Sequence, residues 1–311
     1  MYDYNSLTND FLQYKRFLGY KYKSDEIIIK EIVKYLNDNN ISIITKEITE
    51  RYARINPNLA ANTISRNMDT FREFCAYLKL REIPCYQIPL KLYPQNHKSY
   101  FPYIFSKKKI RLIYNNLNII SKSYHYNYYQ KTIYPLIIKL LYQTGMRIGE
   151  VLNLKYKDYL DDNYFILRKT KNDEERIIIL PSKLNEEFKT FYYKFKNCYM
   201  EDDKIFLCCT STIRIYFFKV LKAANIKKNS NGPRLHDLRH TFITHTIQKF
   251  IAEGKNLEII LPVLQAYVGH KSIESITYYF HITNDILKEI NTISERNLGY
   301  LIPQIKEISY E

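Results

Sequence analysis

The chain has 311 residues, enough for two domains that each bury a core, and 47 Lys and Arg against 32 Asp and Glu give a formal net charge of +15, which favours a polyanionic partner. The five cysteines (Cys75, Cys85, Cys198, Cys208, Cys209) contain no Cys-x-x-Cys spacing, which argues against a disulfide framework or a zinc–thiolate centre and fits a reducing compartment. The start, Met1-Tyr2-Asp3-Tyr4-Asn5, has no basic or apolar leader, and no apolar run approaches the roughly 20 residues that span a bilayer, so a soluble cytoplasmic protein is expected.

Residues 1–81 read as helices. Ser6 or Thr8 is placed to cap a first one carrying Phe11, Leu12, Tyr14, Phe17 and Leu18. Ser24-Asp25-Glu26 opens a second, with Ile28, Ile29, Ile32, Val33 and Leu36 at helical spacing. Thr45 caps a short third. A long fourth is predicted over 58–80, where Ile64, Met68, Phe71, Cys75 and Leu78 form one stripe. Residues 82–105 hold Pro84, Pro89, Pro94 and Pro102, four of the ten prolines. Proline lacks an amide donor and disfavours helix in the residue before it, so this stretch is predicted to be an extended linker at a domain boundary.

A second helical region begins at Ser106 with Lys107-Lys108-Lys109, and another helix is predicted over 131–143. The good strand pair is 164–168 and 176–180, joined by the polar run 169–175 as a hairpin turn. Helices are predicted over 182–199, 210–225, 236–250, 257–267 and 272–280. The fold class is mainly α with a small antiparallel β-sheet (α+β) in the second domain, 106–290, and all-α in the N-terminal domain, with 291–311 as a tail.

The chemistry-bearing residues gather in the second region. Arg147 stands in Thr144-Gly145-Met146-Arg147-Ile148-Gly149-Glu150, at a turn entering a helix, where Gly145 can supply a tight backbone and helix-terminal amides favour an anion. A surface arginine capping a turn gives the same local pattern. In His236-Asp237-Leu238-Arg239-His240, positions 236, 239 and 240 share a helix face, so a guanidinium and two imidazoles can converge on one phosphate. His236 and His240 are also spaced as a zinc pair, but the Glu of His-Glu-x-x-His is missing and position 237 is Asp. His240 can equally be a hydrogen-bonded core histidine. Further on come Gly269-His270 and the pair Tyr278-Tyr279. Cutting a phosphodiester builds charge on two non-bridging oxygens, which planar guanidiniums match in a bidentate way. The leaving oxygen needs a proton donor, and a tyrosine nucleophile would keep the phosphate as an ester for rejoining.

The order and spacing of these segments resemble the tyrosine recombinase (phage integrase) family. In that family the nucleophile stands nine residues after a histidine or tryptophan, which selects Tyr279 after His270. Neighbours on a helix point about 100° apart, so Tyr278 cannot share its role. With 31 tyrosines in the chain, this conjunction is what singles one out. The resemblance implies that Arg147, Arg239 and His270 stabilise the charged phosphate and that His236 contacts it and assists proton transfer. Glu150 supports Arg147, and His240 has a supporting role. The family carries a general-acid lysine in the hairpin turn, five residues before an arginine that opens the second strand; Lys171 stands so before Arg176, with Lys169 as the alternative.

No metal and no nucleotide cofactor is implied. The implied partners are double-stranded DNA with specific recombination sites and three further copies of the chain, forming a homo-tetramer on synapsed DNA, together with accessory factors. The N-terminal domain 1–81 corresponds to the family's core-binding domain. Residues 284–308, with Ile286, Leu287, Ile290 and Ile293 in a stripe, either dock on a neighbouring copy or pack on their own domain. The implied activity is integration, excision, inversion or resolution. The lack of an additional N-terminal domain points toward simpler recombinases, including those of mobile elements. A type IB topoisomerase-like relaxing enzyme and a non-catalytic DNA-binding protein on this scaffold are the alternatives.

Overall fold

The structure, a computed structural model, describes residues 2–90, 93, 102–160, 163–168, 175–227 and 232–269. The chain divides into two compact units, Met1–Ser99 and Tyr100–Glu311.

The first unit is built from helices α1 (Tyr4–Phe17), α2 (Lys23–Asp38), α3 (Lys46–Ala53) and α4 (Ala61–Leu80). Phe11, Ile29, Ile32, Leu36, Phe71, Phe74 and Leu78 meet in its core. Neither Ser6 nor Thr8 caps α1. Asp3 does, its carboxylate accepting from the amides of Asn5 and Ser6 at 3.0 and 3.1 Å; an Asp just outside the first turn is an effective cap, while the Thr8 hydroxyl lies inside the helix and donates back to the Tyr4 carbonyl. Tyr22, at φ 42°, precedes α2 without a side-chain cap, and Thr45 stands at the N-cap of α3 without one either. Helix α4 begins at Ala61 rather than 58, because Asn56 turns the chain by accepting from the amides of Asn58 and Leu59. Past α4 the chain runs extended against this unit: the Tyr86 amide donates to the Ile44 carbonyl at 2.8 Å, and Ile88 is buried.

The second unit opens with α5 (Lys107–Ser123), capped by Ser106, and α6 (Tyr128–Thr144), closed at its start by a capping box of Asn127 and Gln130. The short α7 (Ile148–Leu152) follows. Strands β1 (Tyr159–Leu160), β2 (Tyr164–Leu167) and β3 (Arg176–Ile179) form an antiparallel sheet in that order, with Phe165 opposite Ile178. Those two residues point inward, Phe165 packing edge-to-face on Phe188, while Ile177 and Ile179 face out. Helices α8 (Ser182–Phe195), α9 (Thr210–Ala223), α10 (Asp237–Ala252) and α11 (Leu257–Val268) complete the described part. Helix α8 stops short of 199, passing into a 3-10 turn at Lys196–Cys198. The helix expected over 272–280 and the stripe of 284–308 lie outside the described residues. Helices α10 and α11 pack through Ile243, Ile247 and Ile251 against Leu261, Leu264 and Val268. The buried Thr241 hydroxyl ties α10 down, donating to the Asp237 carbonyl at 2.7 Å and accepting from the Phe105 amide at 3.0 Å.

Candidate active site

Three chain ends converge in the second unit: the turn from α6 into α7, the start of α10 and the end of α11. Gly145 terminates α6 at φ +65°, and a Cβ there would run into the Phe242 ring of α10. The left-handed turn and the close approach together call for glycine. The turn delivers Arg147 to the N-cap of α7, where its amide donates to Glu150 Oε2 at 2.8 Å and its Nη1 to Glu150 Oε1 at 2.8 Å. Its Nη2 crosses to the carbonyl of Gly269 at 2.6 Å.

Arg239, on the first turn of α10, is 2% exposed. A buried guanidinium must find acceptors, and Nη1 donates to the Gly145 carbonyl at 2.6 Å and Nη2 to the Val268 carbonyl at 2.7 Å. The two arginines therefore reach adjacent carbonyls at the end of α11. His236 stands at the N-cap of α10, its ring edge-to-face with that of His240 at 4.7 Å between centroids.

The electrostatics follow from this crowding. Burial and then the positive fields of Arg239 and Arg147 push the His236 imidazole down to about 4, with Glu150 opposing. His236 keeps an exposed face toward solvent; water there weakens the burial contribution, and the two guanidiniums still set the direction. The ring is neutral at neutral pH and able to accept a proton. Burial alone would raise the Glu150 carboxyl, but its bonds from Arg176 and from the Arg147 amide and guanidinium outweigh it and hold the group below the usual carboxylate range.

Of the residues singled out from sequence, Arg147, Glu150, His236, Arg239 and His240 come together here. His270, Tyr279, Lys171 and Lys169 lie outside the described residues. Arg176 stands out in the sequence only as the arginine five residues after Lys171. At the head of β3 it donates through Nη2 to Glu150 Oε2 at 2.7 Å and through Nε to the Tyr267 carbonyl at 2.9 Å; its position opening a strand after a polar turn was the one mark it carried. Among the described residues no group of three or more His, Cys, Asp or Glu side chains is arranged to hold a metal ion, and no helix is long and apolar enough to cross a membrane.

Comparison with known proteins gives consistent matches. The sequence model of the phage integrase family matches residues 105–285. The chain is 33% identical over 160 residues to the tyrosine recombinase XerA of Saccharolobus solfataricus, covering 51% of this chain and 49% of that one. It is 25% identical over 268 residues to a tyrosine recombinase of Pseudothermotoga lettingae, covering 82% and 85%. The crystal structure of the XerH site-specific recombinase bound to its difH substrate aligns with a TM-score of 0.64 over 94% of this chain and 84% of that one; at 17% identity the likeness is one of fold.

Proposed function

The chain belongs to the phage integrase family, and from that premise we propose that it is a site-specific tyrosine recombinase, cutting and rejoining double-stranded DNA through a 3′-phosphotyrosyl intermediate. The observation that carries this reading is the meeting of Arg147 and Arg239 on the adjacent carbonyls of Gly269 and Val268, directly before His270. Two planar forks held side by side match the two non-bridging oxygens of a phosphodiester.

In the proposed reaction the Tyr279 hydroxyl oxygen attacks phosphorus, and the bond from phosphorus to the 5′ oxygen of the next nucleotide breaks. His236, neutral in the free protein, accepts the phenolic proton once the negative charge of the bound phosphate offsets the fields of Arg239 and Arg147. Lys171, in the segment of sequence between β2 and β3, with Lys169 as the alternative, delivers a proton to the departing 5′ oxygen. Arg147, Arg239 and His270 balance the charge of the pentavalent phosphorus, Glu150 holds Arg147, and His240 braces His236. The 5′-hydroxyl of a partner strand then attacks the phosphotyrosine and releases the enzyme, so the bond energy is conserved and neither metal nor nucleotide enters. Residues 1–81 act as a second DNA-binding domain, 82–105 as the linker, 106–290 as the catalytic domain and 291–311 as the tail. Four copies assemble on two sites in the cytoplasm, on the nucleoid. The relatives' names favour strand exchange over relaxation of supercoils or binding alone.

A nicked duplex carrying the DNA that flanks the gene tests this in EDTA. Wild type should form a covalent adduct and Tyr279→Phe should bind without forming one. Adduct formation by Tyr279→Phe, or tight binding by wild type without an adduct, would overturn the reading.

A further inference from the structure

We propose that Arg176 is a positioning residue for strand cleavage, acting through Glu150 and the end of α11 to hold the Arg147 fork toward the scissile phosphate. The inference rests on the recombinase reading above. Three guanidiniums from three elements close the C-terminus of α11: Arg176 donates to the Tyr267 carbonyl at 2.9 Å, Arg239 to Val268 at 2.7 Å and Arg147 to Gly269 at 2.6 Å. The last carbonyls of a helix lack intrahelical partners and carry its partial negative charge. Three successive ones make a rail that sets the spacing of the three side chains.

Arg147 keeps 29% of its side chain exposed and Arg176 10%, so Arg147 is the more open of the two guanidiniums that share Glu150. The link between them is Glu150, whose Oε1 takes Arg147 Nη1 at 2.8 Å while Oε2 takes Arg176 Nη2 at 2.7 Å and the Arg147 amide. With Arg176 gone, the carboxylate has one guanidinium left and can engage it with both oxygens, drawing off donors that Arg147 needs for phosphate. The backbone is shaped around the same group: Gly269 sits at φ +66°, and a Cβ there would lie 2.9 Å from Arg176 Nη1.

The test is the single-turnover rate of covalent adduct formation on a nicked duplex, with an ordinary phosphodiester or an uncharged methylphosphonate at the scissile position. Arg176→Met should slow the phosphodiester reaction by about tenfold or more while changing the Kd for the duplex by no more than about twofold. Arg176→Lys keeps the charge but cannot reach Glu150 and the Tyr267 carbonyl together, and should recover part of the rate; it carries the comparison alone if the Met variant fails a thermal-unfolding check. Combining Arg176→Met with Glu150→Gln should be little slower than the worse single variant, because both act on one network. On the methylphosphonate, which asks less of Arg147, the Arg176 defect should shrink to about threefold or less. An unchanged rate, a defect equal on both substrates, or effects that multiply would overturn the inference and leave the recombinase reading standing. A wild type that binds the duplex tightly and forms no adduct would overturn both.

Discussion

His236 carries an imidazole set against protonation by its surroundings. Burial and the fields of Arg239 and Arg147 lower it from 6.5 to about 4, and Glu150 offsets part of this. In the unfolded chain the ring binds its proton near 6.5. As pH falls from 6.5 toward 4, the unfolded state therefore gains a proton that the folded state refuses, and stability declines through that window. His236→Gln should remove this share, so that the variant loses less stability than wild type between pH 7 and pH 5 in urea unfolding. His245 is also lowered, but it is present in both proteins and cancels in the comparison. Equal losses would show that the imidazole is not depressed. The residues of this site were legible to the extent that their partners are local: Arg147 and Glu150 are three apart, and His236, Arg239 and His240 fall within five positions. The Arg176–Glu150 pair spans 26 residues and depends on where β3 docks, which no periodicity encodes.

At the scale of elements, one ring of α8 joins two strands of the sheet. Phe188 on α8 is fully buried and touches Tyr159 of β1 and Phe165 of β2 at centroid distances of 4.7 and 4.9 Å. Phe188→Ala should destabilise the second unit by about 3–5 kcal/mol, the usual cost of deleting a buried ring from a core that cannot fully collapse. Urea unfolding followed by far-UV circular dichroism reads this; a loss below about 1 kcal/mol would mean that the sheet is held from elsewhere. Strands β2 and β3 were legible to within a residue, because two short runs of aromatic and aliphatic residues flank a polar turn signal. Strand β1 was not, since two residues cannot display a period. Helix bodies were likewise readable from apolar stripes, whereas their starts depended on caps with several local solutions: Asp3 took the role expected of Ser6 or Thr8, and Asn56 moved the start of α4 to Ala61.

For the whole molecule the controlling quantity is charge. From Tyr100 onward the chain holds 32 of its 47 Lys and Arg and 21 of its 32 Asp and Glu, so most of the +15 belongs to the second unit, which also holds Arg147 and Arg239. Exposed charges of this kind contribute little to folding but strongly to binding a polyanion, because each phosphate neutralised releases condensed counterions. The logarithm of the DNA-binding constant should fall linearly with the logarithm of salt concentration, with a slope of about −0.9 per phosphate contacted. For about six contacts the affinity drops on the order of 10³-fold between roughly 50 and 200 mM salt. Fluorescence anisotropy with the full chain and a labelled duplex measures that slope. Tyr279→Phe should give the same line as wild type, because the phenol forms its bond after the phosphates are already bound. An affinity flat across this range would mean that the positive charge serves solvation rather than DNA, and the recombinase reading would lose its binding step.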